Sequence, residues 1–377
     1  DSFHTVHVDT SGSAYDAPHW QDNSEPPDGD AEDDEDNDRM YPVCFTRDTK
    51  MKTSVRMVVK PVAAFGYNLE IKGDGPGNLD IAAASADIVG DTARLSNATC
   101  EAAFPNYVTR YDTLDIVWSL STDGGQTWQE VGTSKNETFI TRVDPPQDLT
   151  LYRTVAYLAC VEEGATEEGE ALTNTWSAFA PVSGQDDVCA WNEETDDYDR
   201  PLYYWQDQNP ASTVSGLLQG ANGNCDAWTR LFRESLRVNG ADVDRIAVRP
   251  PFGDPASYFR LVIKNVTFDE QNPDHPNSPP WIYSRKDLDI SPEGIAGQNT
   301  PTPAEKIFWW HLVARFITQD PETKTYYDPS YGKTYGNEAD LTEEAIAGFG
   351  MVFGPDDVRF RKVSDLNVQF QTTNWQE

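Results

Sequence analysis

One segment of the chain limits its fold more than any other: Gln219-Gly-Ala-Asn-Gly-Asn-Cys-Asp-Ala-Trp-Thr-Arg-Leu-Phe-Arg-Glu-Ser-Leu-Arg-Val-Asn-Gly240. Trp228, Leu231, Phe232, Ser235 and Leu236 follow the i, i+3, i+4, i+7, i+8 spacing of one buried helix face. Asn222-Gly-Asn forms the turn before it, and Gly240 stands where a glycine ends a helix. Cys225 therefore falls in the first helical turn. Backbone N–H groups there have no intrahelical partner, and the helix dipole favours negative charge, a setting that suits a thiolate nucleophile. The same N–H groups can hold an oxyanion. The segment also fits a small buried cysteine that happens to begin a helix.

A cysteine nucleophile needs a base, and the base needs an orienting group. Of the five histidines, His4, His7 and His19 lie near the N-terminus and His275 lies in the Pro-rich Asn272-Pro-Asp-His-Pro. His311 sits in Ile307-Phe-Trp-Trp-His-Leu-Val-Ala-Arg-Phe-Ile, a strongly β-prone run. The polar turn Gln319-Asp-Pro-Glu-Thr-Lys follows, then a second strand, Thr325-Tyr-Tyr-Asp-Pro-Ser-Tyr. A hairpin closing near Asp320 would bring Asp328 roughly opposite His311, where a carboxylate can fix the imidazole tautomer. Taken singly, His311 also fits a satisfied core histidine and Asp328 a strand-end cap.

The order Asn-Gly-x-Cys-x-Ala-Trp-x-x-Leu-Phe, then a His-bearing strand, then Tyr-Tyr-Asp-Pro-Ser-Tyr-Gly, resembles the transglutaminase-like branch of the papain-like superfamily. The resemblance covers roughly Leu151 to Tyr335. It implies an α+β core with Cys225 as nucleophile, His311 as base and Asp328 as its orienter. The family includes protein cross-linking acyltransferases, peptidases and catalytically dead structural members. Papain-like enzymes often carry a Gln six residues before the nucleophile as an oxyanion donor, and Gln219 has that spacing. The chain departs from many relatives at Phe308, Trp309 and Trp310, which would roof or block the approach to His311.

Elsewhere the grammar is different. Ser54-Val-Arg-Met-Val-Val-Lys, Leu114-Asp-Ile-Val-Trp-Ser-Leu and Thr138-Phe-Ile-Thr-Arg-Val read as strands. Between the last two, Ser121-Thr-Asp-Gly-Gly-Gln-Thr-Trp128 matches an Asp-box hairpin turn, most simply a staple without chemistry. Strands, Gly-rich turns and no helical period indicate a β-sandwich resembling an immunoglobulin-like module. Asp144-Pro-Pro-Gln-Asp is a linker, and Ala165 to Phe179 carries helical spacing. The expected organisation is α+β and multidomain: an acidic tail over residues 1–39, a β-sandwich module over 40–146 and a transglutaminase-like domain over 147–377.

The acidic excess, a formal net charge of −34, argues against nucleic acid and anionic membrane surfaces as partners. No apolar stretch reaches the ~20 residues of a membrane span. The chain opens at Asp1 without an initiator Met or a basic-then-apolar leader, as a mature or trimmed chain would. No cofactor is required for thiol chemistry; calcium at the acidic tracts is the one candidate, although no EF-hand spacing is present. Phosphate-loop, zinc-protease and GxSxG patterns are absent. Five cysteines without a CxxC pair leave room for two disulfides and one free thiol in an exported protein.

Two functions follow as expectations. The first is an extracellular or cell-surface thiol acyl-transfer enzyme, transglutaminase-like or a peptidase, acting on protein or peptide amides. The second is a catalytically inactive extracellular structural protein that self-assembles into a filament or surface layer, its N-terminal tail docking on a neighbouring copy.

Overall fold

The computed structural model describes residues 43–58, 69–90, 92–146, 148–180, 188–192, 195, 197–207, 209–250, 259–263, 266–268, 283–284, 288–290, 297–300, 307–319, 322–354, 357–362 and 368–374. The acidic tail, four of the five histidines and residues 186, 187, 193, 194 and 196 of the Asp-rich loop lie outside these residues. The chain is mixed α+β and divides into two compact units, residues 1–178 with 234–241, and residues 179–233 with 242–377.

The first unit contains strands β1 (Val43–Thr46), β2 (Lys52–Val58), β3 (Glu70–Asp74), β4 (Ile81–Ser85), β5 (Asp87–Val89), β6 (Thr92–Thr99), β7 (Thr109–Ser121) and β8 (Gln129–Thr141), followed by helices α1 (Arg153–Cys160) and α2 (Glu168–Ser177). Two sheets result, in the orders β1-β8-β7-β3-β4 and β2-β6-β5. Leu114, Ile116, Trp118 and Leu120 alternate inward along β7, as a half-buried strand requires. They join Val55, Leu95, Ile71 and Ile140 in one hydrophobic core fed by both sheets. Burial of each large side chain contributes about 1.5–3 kcal/mol.

The β7–β8 turn is held by its own side chains. Asp123 Oδ1 accepts from the N–H groups of Gln126 and Thr127, and Thr127 Oγ1 donates to Asp123 Oδ2 at 2.6 Å. Those hydrogen bonds, first the one from the Thr127 hydroxyl, lower the Asp123 carboxyl to about 2. Gly124 and Gly125 supply the positive φ values, +72° and +82°. The expected helix over Ala165 to Phe179 is realised as the shorter α2. It is closed by a capping box in which the Glu167 side chain meets the N3 backbone and Glu170 meets the Glu167 backbone.

The second unit runs through β9 (Cys189–Asn192), β10 (Asp197–Pro201), β11 (Tyr203–Tyr204), α3 (Val214–Gly220), β12 (Asn222–Gly223), α4 (Cys225–Val238, of which the part from Glu234 on is counted with the first unit), β13 (Asp244–Arg249), β14 (Phe259–Ile263), β15 (Val266–Phe268), β16 (Tyr283–Ser284), β17 (Leu288–Ile290), β18 (Ile307–Phe308), β19 (His311–Gln319), β20 (Glu322–Asp328), β21 (Lys333–Tyr335), α5 (Glu338–Ala345), β22 (Ile346–Gly354), β23 (Asp357–Lys362) and β24 (Gln369–Thr373). Its two larger sheets have the orders β21-β20-β19-β13-β24 and β16-β23-β22-β14-β18. Every strand pair in both is antiparallel.

Two details differ from the sequence reading. The β-prone run from Ile307 to Ile317 is not one strand: β18 belongs to one sheet and β19, beginning at His311, to the other. The second strand of the hairpin starts at Glu322 and stops at Asp328, because Pro329 has no N–H to continue a ladder.

Candidate functional site

The site is assembled from the start of α4 and the ends of β19 and β20. Asn224 caps α4, its Oδ1 accepting from the N–H groups of Asp226 and Ala227 at 2.9 and 3.3 Å. Cys225 is the first residue of the helix, 5% exposed. The cap uses the second and third helical N–H groups. Among the described residues, the N–H of Cys225 has no acceptor.

The helix is pinned to the sheet by one side chain. Thr229 Oγ1 lies 2.6 Å from the carbonyl oxygen of Cys225 and 3.1 Å from that of Leu312. It therefore links the turn that carries Cys225 to the residue after His311. Trp228, Leu231 and Phe232 are fully buried on the same helix, and Phe179 stacks edge-on against Trp228 and Phe232.

His311 and Asp328 are both fully buried, with Nε2 of the imidazole 2.6 Å from Oδ2 of the carboxylate. The register explains how they meet. Ala314 pairs with Tyr327, so the next step outward sets Asp328 beside Val313, not His311. Asp328 is thus diagonal to His311 on the same face of the sheet, within reach of a long side chain. The two expected to lie roughly opposite each other are thus on paired strands, offset by one diagonal step.

Burial by itself would lower the His311 pKa, but the Asp328 charge and hydrogen bond, together with Cys225, outweigh it and raise it to about 10. The imidazole is therefore held protonated at neutral pH. Nε2 is taken by Asp328, which leaves Nδ1 for the thiol side of the ring. The structure brings Cys225, His311 and Asp328 together.

It does not bring Gln219 to them. That residue is exposed on α3, its Nε2 donating to Ser215 Oγ at 3.3 Å. Of the aromatic trio before His311, Phe308 is buried with its ring 6.2 Å from the imidazole, whereas Trp309 and Trp310 are 47% and 44% exposed. Arg249 lies over the Trp310 ring at 5.6 Å.

Two tyrosines that carried no role in the sequence reading complete the surroundings. The Tyr331 ring lies 5.5 Å from the imidazole and 5.0 Å from the Tyr204 ring. Both tyrosines are at most 2% exposed, and burial pushes both hydroxyls far above the ordinary phenol range. Asp328 Oδ1, Ser330 Oγ and the Tyr335 hydroxyl are buried without a hydrogen-bond partner among the described residues, whereas the His311 imidazole interacts with Cys225 and the Tyr204 and Tyr331 hydroxyls interact with each other. Tyr331 stands in the quoted Tyr-Tyr-Asp-Pro-Ser-Tyr motif and could have been found there. Tyr204, in Leu202-Tyr-Tyr-Trp, carries no such signal.

Among the described residues, no group of three or more His, Cys, Asp or Glu side chains is arranged to hold a metal ion, and no helix is long and apolar enough to cross a membrane. The acidic stretches considered for calcium lie largely outside those residues. The chain matches no protein-family model and no curated protein sequence.

Proposed function

We propose that this chain is a thiol acyl-transfer enzyme of transglutaminase-like or peptidase type, acting on protein or peptide amides. The observation that carries the reading is the fully buried 2.6 Å His311–Asp328 contact beside a cysteine that begins a helix. Cys225 sulfur attacks the amide carbonyl, forming a C–S bond and a tetrahedral oxyanion. His311 passes its proton to the departing nitrogen as the C–N bond breaks, leaving a thioester and a neutral imidazole. Water or an amine then attacks the thioester with His311 taking its proton; the C–S bond breaks, Cys225 leaves as the thiolate, and the product is an acid or a new amide. Asp328 holds the ring and balances its charge throughout. In the same proposal, the first unit is an immunoglobulin-like module and the second has the transglutaminase-like fold.

One observation favours the rival reading of an inert structural protein: Cys225 is only 5% exposed. Native-state alkylation with iodoacetamide from pH 5 to 9, followed peptide by peptide by mass spectrometry, separates the two. Cys44, Cys100 and Cys160 serve as internal controls, since burial pushes their thiols up, Cys100 and Cys160 to about 12. The enzyme reading expects Cys225 to react far faster than these, and His311→Ala to slow it. A Cys225 that stays inert until the protein unfolds would overturn it.

A further inference from the structure

We infer that Trp205 is a positioning residue of the site: acting through the Phe308 ring, it sets the orientation of the His311 imidazole. The inference rests on the reading of Cys225 as nucleophile and His311 as base.

Trp205 has φ +49°. Among the described residues, six non-glycine residues have positive φ, and the other five are three Asn, one Asp and the Ala that ends α3. Asn and Asp visit that region routinely, whereas a bulky aromatic is sterically disfavoured there. Such a conformation persists only where its surroundings impose it. Here Trp205 N–H donates to Gly223 O at 2.9 Å, and Gln206 N–H donates to Asn222 Oδ1 at 2.9 Å. Asn222 is held in turn, its Nδ2 donating to Asp207 Oδ1 at 2.8 Å. Just before this point β11 pairs in parallel with β12, Tyr204 beside Gly223. The strained residue is therefore bonded to the segment that enters Cys225 two residues later.

The indole meets the Phe308 ring edge-on, with centroids 5.2 Å apart and planes at 80°. Phe308 in turn lies 6.2 Å from the imidazole. In the other direction Trp205 meets Tyr204 at 6.1 Å, Tyr204 meets Tyr331 at 5.0 Å, and Tyr331 meets His311 at 5.5 Å. The five contacts close on themselves. The imidazole has two ring neighbours in this circuit, and Trp205 with Tyr204 braces both. Four of the five side chains are buried, and Trp205 is the half-buried member.

Phe308 depends most on that brace. It pairs with β14 in one sheet while His311 pairs with β13 in the other, so no shared ladder fixes their separation. Asp328 holds Nε2 of the imidazole. One hydrogen bond leaves the ring free to tilt about it, and the packed rings remove that freedom. Orientation of this kind decides how well a base serves its nucleophile.

Alkylation of Cys225 with iodoacetamide from pH 5 to 9, followed by mass spectrometry, tests the inference. Sulfur bonds to the methylene carbon and iodide leaves with the electron pair, so the rate follows the thiolate that a neighbouring imidazolium supports. Trp205→Leu removes the ring and keeps apolar bulk. Its rate profile is expected to move about one pH unit upward, about tenfold slower at pH 6, and to rejoin the native rate by about pH 9. Trp205→Phe, which returns a ring to Phe308, should recover most of the loss.

A Trp205→Leu profile that superimposes on the native one refutes the role of Trp205 while the nucleophile stands. A fall by the same factor at every pH also refutes it, because lost access or structure does not follow the charge of the imidazole. If Cys225 of the native chain stays inert until unfolding, the enzyme reading itself fails. Should Trp205→Leu not fold, Trp205→Gly takes its place, since glycine adopts the positive φ freely. The same displacement is then expected, and the same two results overturn the proposal.

Discussion

Replacing Asp328 with Asn keeps the shape of the side chain and removes the charge that holds the His311 imidazolium. The rise of the His311 pKa from 6.5 to about 10, at about 1.4 kcal/mol per pH unit, places the net stabilisation of the imidazolium at about 5 kcal/mol. Removing one member of a buried ion pair costs about 3–5 kcal/mol, in the same range. A group whose folded pKa is raised stabilises the fold fully below its unfolded value and loses that contribution as pH rises through the folded value. The gap between the native chain and Asp328→Asn should therefore be about 3–5 kcal/mol at pH 6 and should close steadily between 6.5 and 10. Denaturant unfolding read by tryptophan fluorescence measures it, since Trp228 is fully buried on α4. Comparing the two chains at each pH cancels the ionisation of buried thiols and phenols, which both share. The imidazole signals of His311 in an NMR titration give the same quantity directly. Equal stability at pH 6, a gap that does not change with pH, or a His311 that titrates near 6.5 in the native chain would refute the charged-pair account.

Three other substitutions test the local physics. Asn224→Ala removes the cap from α4 and should cost about 1 kcal/mol in denaturant unfolding, together with slower alkylation of Cys225; unchanged values on both counts would show that the cap does not position the thiol. Gly240→Ala puts a Cβ 2.5 Å from Val143 Cγ2 at a residue with φ +71°; a loss of about 2–3 kcal/mol is expected, and a neutral result would mean that this turn relaxes freely. Asp123→Asn removes a carboxyl lowered to about 2 by its turn hydrogen bonds. A depressed carboxylate stabilises the fold above its unfolded value near 3.8 and loses that contribution as pH falls towards 2. The variant should thus show a flatter loss of stability between pH 4 and 2, and a curve parallel to the native one would count against the turn as a staple.

Three features of the chain could be read directly. The helix face of Trp228, Leu231 and Phe232, with Gly240 at its end, follows from a 3.6-residue period and the freedom of glycine at positive φ. The turn from Ser121 to Trp128 follows from Asp and Gly chemistry within eight residues. The hairpin carrying His311 and Asp328 was visible as two β-prone runs around a polar turn. Each of these is a local pattern, set by interactions a few residues apart, so composition and spacing carry it.

Other features depended on partners distant in the chain. The break between Phe308 and His311, which sends one β-prone run into two sheets, is decided by which strands are free to pair: β14 takes the first piece and β13 the second. Gln219 has the spacing of an oxyanion donor, yet the geometry of α3 turns it to solvent. The parallel pairing of β1 with β8, the diagonal reach of Asp328 to His311, and Tyr204 beside Gly223 have no local signature. Residue types and periods determined that a helix would begin at Cys225 and that strands would carry His311 and Asp328. Only tertiary packing decided which buried groups face the thiol, because a contact between distant segments is chosen by the burial and pairing of whole elements and leaves no spacing of its own in the sequence.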